Sequence, residues 1–213
     1  MRNIQSYLKL KNGHFLVLLI SITWIIVYFQ QEYLIIDQLK NFDVLGQHKE
    51  KVLEAFQKYR WLSFIFTPLL ILLRIFYSSI TLFLGDILAV NNQKHRFGTY
   101  FNVSIKADVI FLLSSLVLLL LIIYEGVDQA EVVFSYLSLQ GLFNAQVIEP
   151  WLFVSLSSIN IFEVIYWLFL AFLYMVTTSS SYVKSLKFVA STYGVGFLLY
   201  VILMSFIALY LTT

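Results

Sequence analysis

Five runs of apolar residues divide this chain, and each is close to the length that a helix needs to cross a bilayer. They predict membrane-spanning helices at about residues 15–36, 61–84, 107–124, 151–176 and 188–211. A spanning helix needs about 20 mainly apolar residues. With 60% hydrophobic and 12% charged residues, the chain has too little polar surface for a soluble domain. The predicted fold class is therefore all-α, a polytopic helical membrane protein with one membrane domain over residues 1–213.

Two alternatives to five spanning helices, a transmembrane β-barrel and a cleaved signal peptide at the first run, do not fit the sequence. A transmembrane β-barrel shows segments of about ten residues with alternating polarity, whereas these runs are apolar on every face. The first run could be a secretory signal peptide, but no small-x-small cleavage site follows it. The next residues are Gln30, Gln31 and Glu32. We therefore interpret the first run as an uncleaved signal anchor.

Positive charges in the polar segments predict the orientation, because Lys and Arg are enriched on the cytoplasmic side of membrane proteins. With a cytoplasmic N-terminus, the inner segments carry eight Lys or Arg residues and the outer loops carry five. The outer loop 125–150 has four carboxylates and no Lys or Arg. We expect a cytoplasmic N-terminus, an extracytoplasmic C-terminus and a place in the bacterial inner membrane.

Both outer loops, 37–60 and 125–150, are expected to contain helices at the membrane surface. In the first loop, Val52, Phe56 and Tyr59 recur at helical spacing. This spacing fits an amphipathic helix on the membrane or an extension of the second span. The second loop contains the stretch VVFSYLSLQGLF, which is apolar but too short to cross. It predicts an interfacial or re-entrant helix.

Two ionisable residues, Arg74 and Glu163, lie well inside apolar runs. A charge at the bilayer centre costs at least about 2.5–3.5 kcal/mol, so such residues find a partner or a wet cavity. Arg74 lies 13 residues after Trp61, and Glu163 lies 12 after Trp151. At about 1.5 Å per residue, both are roughly 18–20 Å from the outer ends of their helices. We predict an ion pair that acts as a structural clamp, as a relay or as part of a ligand pocket. Snorkelling to lipid headgroups is the other alternative.

The fourth run also carries a polar stripe. Ser157, Asn160, Glu163 and Trp167 follow one another at intervals of three, three and four residues, which places them on one helix face. Lipid offers no partner for Asn or Glu, so this stripe should face the bundle interior. It would act chiefly by joining helices.

Small residues at the start of the fifth run suggest a helix-docking face, made of Ala190, Ser191 and Gly194. A chance cluster in a helix rich in small residues explains them equally well. Elsewhere, Asp86 and Asp108 flank the basic segment 91–106. We expect these two carboxylates to form surface ion pairs of little energy with its lysines or arginine.

No enzyme or metal signature is present in the sequence. H-E-x-x-H, G-x-S-x-G and P-loop patterns are missing, and the chain has no cysteine. His14, His48 and His95 lie in three separate polar segments, with His48 on the opposite side of the predicted topology, so a three-histidine site is not expected. The net charge of +2, with no run of Lys or Arg, argues against nucleic acid. We expect a non-enzymatic protein with neither cofactor nor metal.

Several short stretches follow an order that is familiar from one family. NIF at 160–162 is followed by Trp167 and the aliphatic LFL at 168–170, and KSLKFV at 184–189 precedes the last run. SYLSL lies upstream at 135–139. In this order the C-terminal part, about residues 135–206, resembles the Yip-domain membrane family. At residues 173–175 (LYM) the chain departs from the family, which often has glycine there.

The resemblance implies five spans with a cytoplasmic N-terminus and an extracytoplasmic C-terminus, in agreement with the charge pattern. Eukaryotic members of the family are linked to vesicle trafficking and to small-GTPase partners through a longer N-terminal region. Only about a dozen residues precede the first apolar run here, so the chain looks more like the short bacterial members.

Two functional hypotheses follow. In the first, the protein is a scaffold or accessory subunit of an inner-membrane complex. Its partners are then the lipid bilayer and either other integral membrane proteins or further copies of itself. In the second, it is a transporter or permease subunit that uses Arg74 and Glu163. A water-accessible path to Glu163 would favour transport, whereas a dry and paired Glu163 would favour the scaffold.

Overall fold

A computed structural model shows an all-helical chain over the residues that it describes, which are 2–35, 49–89, 95–143 and 149–212. The α-helices are Arg2–Lys9, Asn12–Gln30, Lys49–Tyr59, Trp61–Leu88, Phe97–Ala107, Val109–Glu125, Val127–Tyr136, Pro150–Ser158, Ile161–Thr178, Tyr182–Val189 and Val195–Thr212. Two π-helical turns and one 3-10 turn join them, at Gln31–Ile35, Ala190–Gly194 and Leu139–Leu142. Within the described ranges no β-strand forms, although Ser138 and Asn160 make one isolated antiparallel bridge.

Five helical segments of the described chain are long and apolar enough to cross a membrane. They are span 1 (Asn12–Tyr33), span 2 (Trp61–Leu88), span 3 (Phe97–Glu125), span 4 (Ile161–Thr178) and span 5 (Tyr182–Leu211). The shortest, at 18 residues, measures about 27 Å, close to the roughly 30 Å of a hydrocarbon core. The all-α class and the five candidate spans are therefore confirmed.

Span 3 begins at Phe97, well before the predicted start at residue 107. The prediction treated residues 91–106 as a polar loop, of which 91–94 lie outside the described residues. In the structure, Tyr100, Val103 and Ala107 recur at helical spacing and are fully buried. The helix therefore continues through the segment that was predicted as a loop.

The N-terminal helix Arg2–Lys9 and the residues after it provide hydrogen-bond partners for Lys106 at the end of this extension. Lys106 Nζ donates to the carbonyl oxygen of Leu10 and to Asn12 Oδ1, both at 3.1 Å. The Tyr7 hydroxyl donates to the carbonyl oxygen of Lys106 at 2.8 Å. Burial raises the pKa of Tyr7 to about 12, so this hydroxyl stays a donor at neutral pH. A buried lysine can remain in the helix because these partners replace water.

The predicted fourth span, residues 151–176, is not one helix. It breaks at Ile159 and Asn160, which separate the short helix Pro150–Ser158 from span 4. Leu137 and Leu139 pair their backbone with the residues around the break, at N–O distances of 2.8 and 2.9 Å. These bonds satisfy peptide groups that the interrupted helix leaves free.

The segment that supplies those bonds is the loop between spans 3 and 4. Gly126 ends span 3 with φ at +78°, a conformation that favours glycine. The helix Val127–Tyr136 then contacts span 3, and Leu139–Leu142 contacts the helix Pro150–Ser158. The predicted helix in this loop therefore packs on the bundle, and residues 144–148 of the loop lie outside the described part.

The first outer loop contains the helix Lys49–Tyr59. Arg60 Nη1 and Glu32 Oε1, 2.9 Å apart, join the end of this loop to the end of span 1. Residues 36–48, which include His48, lie outside the described residues. The structure therefore shows a helix in the second half of this loop, whereas the first half lies outside the described residues.

Spans 2 and 5 run antiparallel and approach each other closely at two glycines. A Cβ on Gly85 would lie 1.9 Å from Thr192 Cγ2, and one on Gly196 would lie 2.7 Å from Thr81 Cγ2. The Tyr77 hydroxyl also donates to the carbonyl oxygen of Gly196. Both glycines are needed because any side chain there would overlap the facing helix.

We expect Gly85→Ala to destabilise the protein by about 1–3 kcal/mol, since the added methyl group overlaps Thr192. Gly98→Ala is the matched control, because Gly98 is also helical and an added Cβ there meets nothing within 4 Å. This control should be neutral or stabilising by up to about 1 kcal/mol. Thermal unfolding of the purified protein in detergent measures both changes. Adding Thr192→Ala to Gly85→Ala should recover part of the loss, and equal unfolding temperatures for the two glycine variants would contradict the close contact.

Candidate functional site

Arg74 lies in the middle of span 2 and forms an ion pair with Asp108 of span 3. Its Nε and Nη2 atoms donate to Oδ1 and Oδ2 of Asp108 at 2.7 and 2.8 Å. The Asp108 side chain is only 1% exposed. The guanidinium also lies over the ring of Phe111, with Cζ 3.9 Å from the ring centroid. This bidentate geometry is the strongest that an arginine and a carboxylate form.

This pair corrects the predicted Arg74–Glu163 ion pair. Both residues are described, and no nitrogen–oxygen distance of 4 Å or less joins them in an ion pair. The prediction placed Asp108 at the surface, whereas the early start of span 3 carries it inside. Asp86, the other predicted surface carboxylate, is 2% exposed and accepts from the backbone N–H of His95 at 3.1 Å.

Glu163 has neutral partners instead. Its Oε1 atom accepts from Trp167 Nε1 at 2.7 Å and from the Tyr193 hydroxyl at 2.9 Å. Asn160 caps span 4, with its Oδ1 accepting from the backbone N–H of Glu163 at 3.0 Å. The residue is 5% exposed. The carboxylate is therefore held in one orientation by side chains of spans 4 and 5.

The structure brings three members of the predicted polar stripe together. Asn160, Glu163 and Trp167 are linked by the two hydrogen bonds just described. Ser157 belongs to the preceding short helix, where its carbonyl oxygen accepts from Asn160 Nδ2 at 3.4 Å. The stripe therefore bridges a helix break and does not follow one continuous face.

The predicted docking face of small residues is divided. Gly194 is buried, and a Cβ there would lie 3.0 Å from Cη2 of Trp167. Ala190 and Ser191 are exposed. The π-helical turn Ala190–Gly194 changes the number of residues per turn, so α-helical spacing does not apply here. Trp167 of the same chain covers the glycine, and the three residues do not form one exposed surface.

A cavity of about 510 Å³ lies between spans 2, 4 and 5 and contains both predicted charged residues. Its volume is typical of small-molecule sites. The lining residues are Leu70, Leu73, Arg74, Tyr77, Phe111, Ser158, Asn160, Glu163, Tyr193, Phe197 and Tyr200. Leu70 and Leu73 are 62% and 56% exposed, so the cavity opens sideways past span 2. Its opening is lined by apolar side chains of span 2, and its polar groups come from Arg74, from residues at and after the break before span 4, and from three tyrosine hydroxyls.

A second cavity, of about 220 Å³, lies on the other side of Arg74 between spans 1, 2 and 3. Arg74 and Phe111 line both cavities, whereas Asp108 lines the smaller one and Glu163 the larger one. Thr23, Thr67 and Ser115 also line the smaller cavity, as well as apolar residues. The Arg74–Asp108 pair is thus part of the wall between two cavities.

Sequence reasoning missed two residues of this site, Asp108 and Tyr193. The helical recurrence of buried residues upstream of Asp108 could have moved it into span 3. No local pattern identifies Tyr193, because its role depends on how spans 4 and 5 pack. In the described part of the chain, no group of three or more potential metal ligands lies together.

We expect Asp108→Asn to destabilise the protein by up to about 3 kcal/mol, because it removes the counter-charge of the half-buried Arg74. Glu163→Gln should cost much less, since its amide oxygen can still accept from Trp167 and Tyr193. Exchanging the charges, with Arg74→Asp and Asp108→Arg together, should recover part of the stability that each single change loses. Thermal unfolding in detergent compares these variants. Recovery by a Glu163–Arg74 exchange, and none by the Asp108 exchange, would contradict the observed pairing.

The chain matches no family model, no curated protein and no solved structure. The resemblance to the Yip-domain family therefore stays a prediction.

Proposed function

We propose that this protein is a transporter or permease subunit that binds a small solute in the cavity between spans 2, 4 and 5. The observation that carries the proposal is the cavity itself, which reaches Glu163 and Arg74 and is open on one side. Ionisable residues are costly inside a membrane and mark solute or ion pathways there. A scaffold has no need for such residues around a cavity.

The helix break just before span 4 supports the same function. Transporters often bind their substrates where a spanning helix is interrupted, because the interruption offers polar backbone and side-chain groups. Ser158 and Asn160 flank the break at Ile159 and line the cavity. The break therefore lies at the proposed binding site.

The position of the second cavity also favours transport. It reaches the Arg74–Asp108 pair from the side of spans 1 and 3. A change in this pair would alter the wall that the two cavities share. Such an arrangement suits a transporter in which a solute reaches the site at Arg74 through either of the two cavities.

We further propose a cytoplasmic N-terminus and an extracytoplasmic C-terminus in a bacterial inner membrane. Five crossings put the termini on opposite sides, and the excess of Lys and Arg on the inner segments supports this orientation. The resemblance to the Yip-domain family implies the same orientation. The proposed activity needs neither a cofactor nor covalent catalysis.

Cysteine labelling tests whether the cavity is accessible. The natural chain has no cysteine, so Ser158→Cys gives a single thiol in the cavity wall. Ser79→Cys is the matched control, since Ser79 is fully buried and does not line the cavity. In native membranes, a small neutral thiosulfonate should modify the first variant at least about tenfold faster than the second, because exposure controls thiol reactivity. Equal rates would contradict the proposal.

Purification in mild detergent tests the competing hypothesis of an accessory subunit. A transporter that acts alone or as an oligomer should be recovered without a second protein in fixed proportion. A stoichiometric membrane partner, together with an unreactive Ser158→Cys variant, would support the accessory subunit instead.

A further inference from the structure

The charges around the larger cavity do not balance. Arg74 is neutralised by Asp108, which takes two of its donor atoms. Among the described residues, no Lys, Arg or His forms an ion pair with Glu163. Burial without a charged partner favours the neutral form of a carboxyl group, whereas a cation bound beside it would favour the negatively charged carboxylate. Glu163 therefore offers a place where a cationic ligand would supply the missing partner.

The carboxylate of Glu163 also keeps one oxygen for a ligand. Its Oε1 atom accepts two hydrogen bonds, from Trp167 and Tyr193. In the described part of the chain, Oε2 has no hydrogen-bond partner. Because Glu163 lines the cavity, this second oxygen is the natural acceptor for a positively charged group.

The start of span 4 does not offset this charge completely. A helix N-terminus carries about half a positive charge and favours a carboxylate in its first turn, where Glu163 lies. The backbone N–H groups of Ile161, Glu163 and Val164 already have acceptors, in Leu137 and Asn160. They are not available to hold an anionic ligand.

Five aromatic side chains line the same cavity: Tyr77, Phe111, Tyr193, Phe197 and Tyr200. The faces of aromatic rings attract cations and repel anions. Arg74 already occupies one face of Phe111. The four remaining rings line the same cavity as Glu163, and aromatic surfaces of this kind suit an organic cation.

The opening of the cavity determines the rest of the ligand. Leu70, Leu73 and Tyr200 are 62%, 56% and 42% exposed and lie at the side of the bundle. In a membrane protein this side faces lipid. A ligand that enters from this side needs an apolar body. Its charged group must also lose its contacts with water or lipid headgroups when it enters the cavity.

We propose that the cavity binds a lipophilic organic cation, with its positive centre beside Glu163 and its apolar groups against the aromatic rings. This inference rests on the proposed function and names the class of its substrate. An amphipathic anion held by Arg74 is the opposite arrangement, and the test below distinguishes the two.

Tetraphenylphosphonium and tetraphenylborate provide the test, because they have nearly the same shape and opposite charge. Equilibrium dialysis of the purified full chain in a neutral detergent measures their binding. We expect saturable binding of tetraphenylphosphonium at least about tenfold tighter than that of tetraphenylborate. Glu163→Gln should weaken it at least tenfold, whereas Glu163→Asp should keep part of the affinity. Asp86→Asn, at a buried carboxylate outside the cavity lining, should leave it unchanged.

Preferential binding of tetraphenylborate, or full affinity in Glu163→Gln, would overturn the proposal. If Glu163→Gln does not fold, Phe197→Leu is the second variant, since it removes an aromatic face and should weaken tetraphenylphosphonium binding about threefold or more. Unchanged affinity in that variant would also count against the cation. Where Ser158→Cys is labelled and only neutral or anionic solutes protect it, the cation inference fails and the transport function stands. Where Ser158→Cys is not labelled at all, the transport function fails too.

Discussion

The ion pair between Arg74 and Asp108 determines how the rest of the site is arranged. It joins span 2 to span 3 inside the bundle and forms part of the wall between two cavities. Among the described residues it leaves Glu163 without an ion-pair partner. Removing two charges from a polar solvent costs energy that their attraction repays only when the geometry is good. The bidentate contact provides that geometry. Its main effect is therefore to fix one specific arrangement of the helices.

The interruption of the fourth span is the second determinant. A broken helix leaves peptide groups that lipid cannot satisfy, so such breaks persist only where protein groups cover them. The loop after span 3 provides this cover through the backbone of Leu137 and Leu139, and Asn160 caps the new helix. This loop thus packs against the start of span 4, whose polar end lines the cavity.

The five spans could be predicted because the thickness of a bilayer sets a length that apolar runs must match. The partner of Arg74 could not be predicted. Depth along the helix favoured Glu163, because Asp108 lay beside a segment that was predicted to be a loop. Asp108 enters the bundle because the N-terminal segment covers Lys106 and lets span 3 begin early. The break at Asn160 had a local signal, because an Asn followed three residues later by a Glu is typical of a helix start. The apolar run around Asn160 is long enough to predict one continuous helix, and this masks the signal. The contact between Gly194 and Trp167 depends on packing and had no such signal.

The contact of spans 2 and 5 at Gly85 and Gly196 has a mechanical consequence. These helices touch through glycine where they lie closest, and the cavity opens between them beyond that point, towards Leu70 and Tyr200. A rotation of span 5 about these glycine contacts would therefore change the width of the cavity most at its open end.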